Sequence, residues 1–348
     1  MVLLVLALFL IGGCGGNAAT KTPTESAPAS EKIVIGFSLG TLKEDRWQRD
    51  RDNFVAKAQA LGAEVVVESA NADPAVQTTQ VGNLIAQGVD VLVIVPEDGE
   101  LAASYVEKAH AAGIKVLAYD RIIKNSDLDL YVSFQNEKVG ELQAKGILEL
   151  VNKGKFVYIG GAPTDNNAFQ FKAGAMDVIQ PKIDSGDIEL VFDKMTDEWK
   201  PANAYANMKS YLDTGGEVDA VIAANDGTAG GVIQALTEKG LAGKVPVSGQ
   251  DAELAACQRI VEGTQTLTVF KNLKPLAEKG AEIAVAMAKG EQVATNGKVN
   301  NGKIDVPSVL LDPVLVTKAN MMDTVIALGF QSYDAVYQNV PADQRPAQ

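Results

Sequence analysis

Histidine and cysteine are nearly absent from this chain: one His and two Cys in 348 residues. The single imidazole, His110, sits among alanines in a helical pattern. It has no second His to complete a metal site, and it reads as a solvated helix-face residue. Cys14 and Cys257 cannot build a disulfide framework. No G-x-G-x-x-G follows a strand-like run and no G-x-x-x-x-G-K-[ST] occurs, so nucleotide phosphates find no prepared cradle. Gly240-Leu241-Ala242-Gly243-Lys244 is too short for one and reads as a helix end and turn. There is no G-x-S-x-G elbow and no D-x-[DN]-x-[DN]-G calcium loop. Without a nucleophile–base pair, hydrolysis is disfavoured. No metal and no cofactor are expected. The formal net charge of −13 repels nucleic acid and anionic lipid heads, so neither is a partner by charge. No period of 20–50 residues recurs, which excludes a solenoid.

What is present begins with an apolar run, Val2 to Ile11, ending at Gly12-Gly13-Cys14. It is too short for a spanning helix and fits the apolar region of a secretory signal, although no Lys or Arg precedes it. Ile11-Gly12-Gly13-Cys14 resembles a bacterial lipobox, whose Cys becomes the lipidated first residue. Gly15 to Glu31 is rich in Gly, Ala, Thr, Ser and Pro and reads as a flexible tether. With Cys14 carrying lipid, Cys257 is left single. Its neighbours Leu254, Ala255, Ala256 and Ile260 make it a small buried apolar group on a helix.

From Lys32 onward strands and helices alternate. Strands are expected at Ile33–Leu39, Glu64–Glu68, Val91–Val95, Lys115–Tyr119, Leu130–Phe134, Phe156–Ile159, Ile188–Phe192, Ala220–Ala223, Val245–Val247 and Leu267–Phe270. Most are continuous Val/Ile/Leu runs, as strands buried on both faces should be. The clearest amphipathic helices are Trp47–Leu61, Val76–Gln87, Leu101–Ala112, Lys138–Val151, Ala202–Leu212 and Gly231–Lys239. Gly62, Gly88, Gly113 and Gly240 fit the residue after a helix end. Asp73-Pro74 fits an N-cap followed by proline. The pattern predicts an α/β fold with parallel sheets covered on both faces. Roughly 315 residues remain after the leader, which implies two domains, with a break near Asn136. Gly290–Lys303 reads as a loop, Asp305–Leu311 as a last strand and Met321–Leu328 as a last helix.

Three of these runs end in polar residues: Tyr119-Asp120-Arg121, Ala224-Asn225-Asp226 and Gly249-Gln250-Asp251. In open α/β sheets ligands sit beyond the carboxyl ends of parallel strands. Asp120, Arg121, Asn225 and Asp251 together offer carboxylates, an amide and a guanidinium. That set suits neither a metal nor a phosphate; it suits neutral hydroxyls, which both donate and accept. Flat aromatic faces would complete a sugar site. The only tryptophans, Trp47 and Trp199, fall in loop-like positions just after strands, with charged neighbours that favour a cleft. Asp120 and Asp251 could also flank a glycosidic bond, which keeps a sugar-processing enzyme open. The adjacent Arg121 opposes this, because it holds Asp120 ionised.

The body then shows a resemblance. The stretches that carry it are Arg46-Trp47-Gln48-Arg49-Asp50-Arg51-Asp52, Gly88-Val89-Asp90-Val91-Leu92-Val93-Ile94, Val116-Leu117-Ala118-Tyr119-Asp120-Arg121 and Asn136-Glu137-Lys138-Val139-Gly140-Glu141-Leu142-Gln143-Ala144. They continue through Asp165-Asn166-Asn167-Ala168, Asn225-Asp226-Gly227-Thr228-Ala229-Gly230-Gly231, Ser248-Gly249-Gln250-Asp251-Ala252, Gly263-Thr264-Gln265-Thr266 and Val269-Phe270-Lys271. In order, they cover Lys32 to about Phe330. The chain resembles the periplasmic sugar-binding proteins of the ribose/galactose type, most closely the D-xylose-binding components of bacterial ABC importers.

That resemblance implies a type I periplasmic binding protein: two Rossmann-like lobes with parallel sheets, joined by three crossovers. It places residues 32–136 plus 272–311 in an N-terminal lobe and residues 137–271 plus 312–340 in a C-terminal one, after a signal at 1–14 and a linker at 15–31. It puts Arg46, Trp47, Asp120 and Arg121 on the first lobe, Asn167, Trp199, Asn225 and Asp251 on the second, and Lys271 at the second crossover. Lys43 is a further candidate. The implied role is capture of D-xylose or a related monosaccharide by a monomer that closes without chemistry and docks on an ABC permease. The implied location is extracytoplasmic, at the cell membrane through the lipid anchor. A membrane sensor is a second partner open to such a protein. A transcriptional repressor of the same build would carry a helix-turn-helix where this chain carries an export signal.

Overall fold

The computed structural model of this chain describes residues 32–347, so the leader, the tether and Cys14 lie outside the described residues. In chain order the first elements are β1 (Val34–Leu39), α1 (Asp45–Ala60), β2 (Glu64–Ser69), α2 (Pro74–Ala86), β3 (Val91–Val95), α3 (Ala103–Ala111), β4 (Lys115–Tyr119), β5 (Leu130–Phe134) and α4 (Asn136–Leu148). Next come β6 (Gly154–Ile159), α5 (Asn166–Asp184), β7 (Ile188–Lys194), α6 (Pro201–Asp213), β8 (Ala220–Ala223), α7 (Asp226–Glu238), α8 (Leu254–Glu262), β9 (Leu267–Phe270) and α9 (Leu273–Ala288). Three short strands follow: β10 (Gly297–Asn300), β11 (Asp305–Leu311) and β12 (Val314–Thr317).

Seven strands form one sheet in the order β10-β11-β5-β4-β3-β1-β2. All its neighbours run parallel except the β10–β11 pair. Its interior strand β3, Val-Leu-Val-Ile-Val, is buried at every residue. One face packs Phe37 and Tyr119 against Phe54 of α1 and Leu276 of α9. The other packs Leu92 and Ile94 against Leu84 of α2 and Tyr105 and Val106 of α3. The second sheet is β7-β6-β8, all parallel. Bridges from Val221 to Val247 and from Gln250 to Val269 continue it to β9, with which β12 pairs antiparallel. Its two faces bury Phe156, Tyr158 and Phe171 on one side, and Val157, Met208 and Leu236 on the other.

The chain passes between the two sheets three times, at Gln135, at Lys271-Asn272 and at Asp312-Pro313. Two of these passages are tied together, since Gln135 Nε2 donates to Asp312 Oδ1 at 2.6 Å.

Several expectations are corrected. Val245–Val247 is not a regular strand, because Pro246 has no N–H for the ladder, and only Val247 bridges. The 290–303 segment is not all loop: it contains β10, a polar edge strand whose residues alternate between half-buried and exposed. The sheets are not purely parallel, for β10 and β12 each close an edge with an antiparallel partner. The last helix reduces to a π-helical turn at Met322–Ile326. α5 and α9 were not among the expected helices. Trp47 is not in a loop; it lies in the first turn of α1 and is 3% exposed. His110 is paired, Nε2 to Asp129 Oδ2 at 2.8 Å. Cys257, as its apolar neighbours implied, is fully buried, and burial pushes its thiol up.

The helix signals are observed where the sequence has them. Asp73 accepts from the N–H of Ala75 and of Val76, and Gly62, Gly88, Gly113 and Gly240 all take positive φ. Two helical glycines have a different role. A Cβ on Gly140 of α4 would lie 1.8 Å from Phe171 O, and one on Gly174 of α5 would lie 1.8 Å from Glu137 O. The two helices cross at this pair with backbones in contact. Gly140→Ala and Gly174→Ala should each destabilise the protein by about 1–3 kcal/mol, read from chemical denaturation midpoints. Gly82→Ala on α2, where a Cβ meets nothing within 4 Å, should be neutral or stabilise by about 0.5–1 kcal/mol.

Candidate functional site

Between the two sheets lies a cavity lined by Arg46, Trp47, Asp120, Arg121, Asn167, Trp199, Asn225, Asp251 and Lys271. The nine residues named from sequence thus come together in one place. Lys43 lies outside it, at the wider mouth where Glu44 and Glu253 border both spaces. Glu44, Asp165, Phe171, Gln250 and Glu253 complete the lining. These five were missed. Asp165 is the N-cap of α5, six residues beyond the end of β6, so the signal that could have found it is an N-capping Asp in front of a helix rather than a strand end. Phe171, one helical turn after Asn167 on α5, carries no signal that separates it from a core phenylalanine.

The strand ends deliver the charged groups. Asp120 follows β4 and Asp251 precedes Ala252, and both have left-handed backbones, φ 61° and 96°. The Asp120 carbonyl accepts from Tyr131 Oη at 2.6 Å, Ser133 Oγ at 2.8 Å and Asn167 Nδ2 at 3.0 Å. Its carboxylate meets Arg46 Nη2 at 2.7 Å and Lys271 Nζ at 3.8 Å. Arg46 also reaches Asp50 Oδ2 at 3.2 Å and Asp251 Oδ1 at 3.5 Å; Lys271 lies 3.5 Å from the same Asp251 oxygen. Arg46 is placed by the first turn of α1, and Lys271 by the second passage between sheets.

Burial alone would raise the Asp120 carboxyl, but Arg46, then Lys271 and Arg121, outweigh it and hold the group down to about 2. Asp50 goes the other way, raised to about 6 by burial against the pull of Arg46, and it accepts a hydrogen bond from Tyr119 Oη. An Asp120 this firmly ionised cannot donate a proton to a leaving group.

Asp165 holds the second half of the lining in place. Its Oδ2 forms an ion pair with Arg121 Nε at 3.0 Å and accepts a hydrogen bond from Trp199 Nε1 at 3.1 Å. Trp199 sits on a tight turn at φ 55°, edge-on to Phe171, and lies directly over Gly161. A Cβ at Gly161 would come within 1.8 Å of the indole, so only glycine leaves room for it. Trp47 is covered by cations: the guanidinium carbon of Arg46 lies 4.1 Å and that of Arg121 5.2 Å from its ring centroid. Asn225 caps α7 through Oδ1, which accepts from Thr228 N, and this fixes the orientation of its amide. The result is a ring of fixed donors and acceptors between an indole on each side. Its carboxylates are paired with guanidinium and ammonium groups rather than grouped for a cation.

Comparisons with known proteins agree with this architecture. The sequence profile of the periplasmic binding protein domain matches residues 35–292. The chain is 50% identical over 317 residues to the D-xylose-binding periplasmic protein of Haemophilus influenzae, covering 91% of this chain and 96% of that one. It is 50% identical over 308 residues to the D-xylose-binding periplasmic protein of Escherichia coli K12, covering 88% and 93%. Among solved structures it is similar to an ABC transporter solute-binding protein of Clostridium phytofermentans with bound β-D-glucose. There the TM-score is 0.81 at 31% identity, over 87% of this chain and 99% of that one. These relatives are binding proteins, not enzymes. With two lobes, mostly parallel sheets and a polar cavity between them, this chain belongs to the periplasmic binding protein family.

Proposed function

We propose that this protein is the extracytoplasmic solute-binding component of a sugar importer, which captures D-xylose between its lobes and delivers it to an ABC permease. One observation carries the reading: a buried cavity whose donors and acceptors are fixed in opposed pairs, in a chain half identical to two D-xylose-binding proteins. Residues 32–136 plus 272–311 and residues 137–271 plus 312–340 are the two lobes that move as bodies about the three passages. Arg46, Trp47, Asp120 and Arg121 belong to the first, Asn167, Trp199, Asn225 and Asp251 to the second, and Lys271 lies between. A sugar touching both lobes binds the closed form better and shifts the population toward it.

The energies are adequate. A micromolar Kd requires about −8 kcal/mol. Hydrogen bonds to charged partners contribute roughly 1.5–3 kcal/mol each, so four or five of them exceed the requirement before the loss of ligand freedom is subtracted. Cys14 is read as the lipidated first residue of the mature protein, with two or more acyl chains, which is what stable anchoring takes. Mass spectrometry of protein from native membranes should find a diacylated or triacylated Cys14; an unmodified N-terminus would remove the anchor from this account.

Calorimetry against D-xylose, L-arabinose, D-ribose and D-glucose should show D-xylose bound most tightly. The Asp120→Asn variant, which keeps the left-handed backbone but removes the charge, should lose at least about 3 kcal/mol of xylose affinity. Wild-type affinity in a variant with an unchanged circular dichroism spectrum would show that Asp120 is not at the sugar. A Trp47→Phe variant leaves Trp199 as the one indole. Its fluorescence should change on saturation with xylose, and a flat titration would take Trp199 out of the cavity.

A further inference from the structure

The mouth of the cavity holds carboxylates from both sides of the cleft. Glu253, the N-cap residue of α8, borders the cavity and the wider space outside it, and so does Glu44, which caps α1 on the opposite sheet. Asp45, the first residue of α1, borders the outer space. Glu44 Oε2 is buried there with no hydrogen-bond partner. We propose that closing the cleft takes up a proton on Glu253, so that the protein holds its sugar more tightly in mildly acidic than in mildly alkaline solution. This rests on the reading of the cavity as a sugar site between closing lobes.

The groups that face Glu253 come from every element around it. On its own side these are Asp251 in the preceding loop, Asp226 at the start of α7, which accepts from the Glu253 N–H at 3.0 Å, and Arg259 one turn or more along α8. Arg259 is the cation acting on Glu253, and it directs Nη2 to Asp226 O and Nε to Gln265 Oε1, each at 2.9 Å. From across the cleft come Glu44 and Asp45. Lys43, Glu198 and Lys200 border the outer space. Burial, then Asp251, Glu44 and Asp45, raise the Glu253 carboxyl to about 7.

Glu253 differs from the other raised carboxyls in this respect. Asp50 is surrounded by Arg46, Asp120 and Tyr119, all on its own side, and Asp226 by Glu253, Arg259, Asp251 and Gln265, all on its own side. Their surroundings do not depend on closure. Glu97 is raised mainly by burial, and its neighbour from the other side, Asp165, is already paired to Arg121. Glu253 alone of these meets unpaired carboxylates brought by the other lobe, so the closed form binds its proton more tightly than the open form. By linkage, sugar that favours closure favours the proton, and the proton favours the sugar by the same factor. The gain grows as the pH falls through about 7 and is absent well above it.

The test is calorimetric titration of the purified protein with D-xylose at about pH 6, 7 and 8, each in two buffers of different ionisation heat. Wild type should bind several-fold tighter at pH 6 than at pH 8, with about tenfold as the ceiling, and should take up a fraction of a proton near pH 6.5. Glu253→Gln should abolish both the uptake and the slope. Glu44→Gln, which leaves Glu253 in place, should reduce the slope, and thermal melts would confirm that each variant is folded. Equal affinity across the range with no proton uptake would overturn the inference while leaving the sugar reading intact. An unchanged slope in Glu253→Gln would overturn it too. Absence of binding to any sugar at any pH would overturn the reading on which it rests.

Discussion

The structure is organised around the burial of opposed charges where its two sheets face each other. Asp50, Asp120, Asp251 and Lys271 are nearly inaccessible, and the Arg46 side chain is only 10% exposed. Removing such groups from water costs several kcal/mol each unless partners replace the lost hydration. Here each has one. Arg46 serves three carboxylates, Lys271 serves two, and Asn167 donates to Asp120 Oδ1 at 3.3 Å. Arg46 and Asp120 are supplied by the first sheet and its helix, Asp251 and Asn167 by the second. The network is complete only with the two halves together, so the same pairs that join them also form the floor of the cavity.

Delivering those groups requires backbone that most residues avoid. Asp120, Trp199 and Asp251 all have φ between 55° and 96°, a region costing roughly 1–3 kcal/mol outside glycine. The cost is met locally. Three donors hold the Asp120 carbonyl, and Asp251 N donates to Val269 O at 3.0 Å. Because the strands beneath are buried on both faces, they cannot relax to relieve the turn. The rigid sheets and the strained strand ends are therefore one device: the first fixes where the second points.

Much of this could be read from sequence because buried parallel strands are written as unbroken apolar runs, and the polar residue that ends each run marks a site rim. Asp120, Arg121, Asn225 and Asp251 were legible on that ground alone. Arg46 and Asn167 were not, since their neighbourhoods carry no local signal of a cleft and only the family likeness indicated them; Lys271, which directly follows β9, carries the strand-end signal too, but it was named from the likeness. α5 carries Pro181, and α9 carries Pro275 and is rich in Ala, which blur a helical stripe. β10 is a short polar edge strand that does not stand out from loop, and β12 (Val-Leu-Val-Thr), though apolar, is only four residues long and follows Pro313 directly. Trp47 was misplaced because its charged neighbours suggested exposure, whereas the guanidinium of its neighbour Arg46, with that of Arg121 from β4's end, covers its ring. Sequence gives the charge of a neighbour but not the direction in which it folds.

The charge balance of the cavity also bears on what it can hold. An anion would have to compete with Asp120 for Arg46 and Lys271, and a cation would have to compete with those two for Asp120 and Asp251. A neutral polyol does neither. Each of its hydroxyls can donate to a carboxylate and accept from a guanidinium, ammonium or amide without displacing an existing pair, and so adds hydrogen bonds to a network that is already neutralised. The halves are joined by three short passages and by polar contacts across the cavity, among them Arg121 to Asp165 and Arg49 to the Phe330 carbonyl. A preference for a neutral, hydroxyl-rich ring thus follows from an arrangement of paired charges to which both halves contribute.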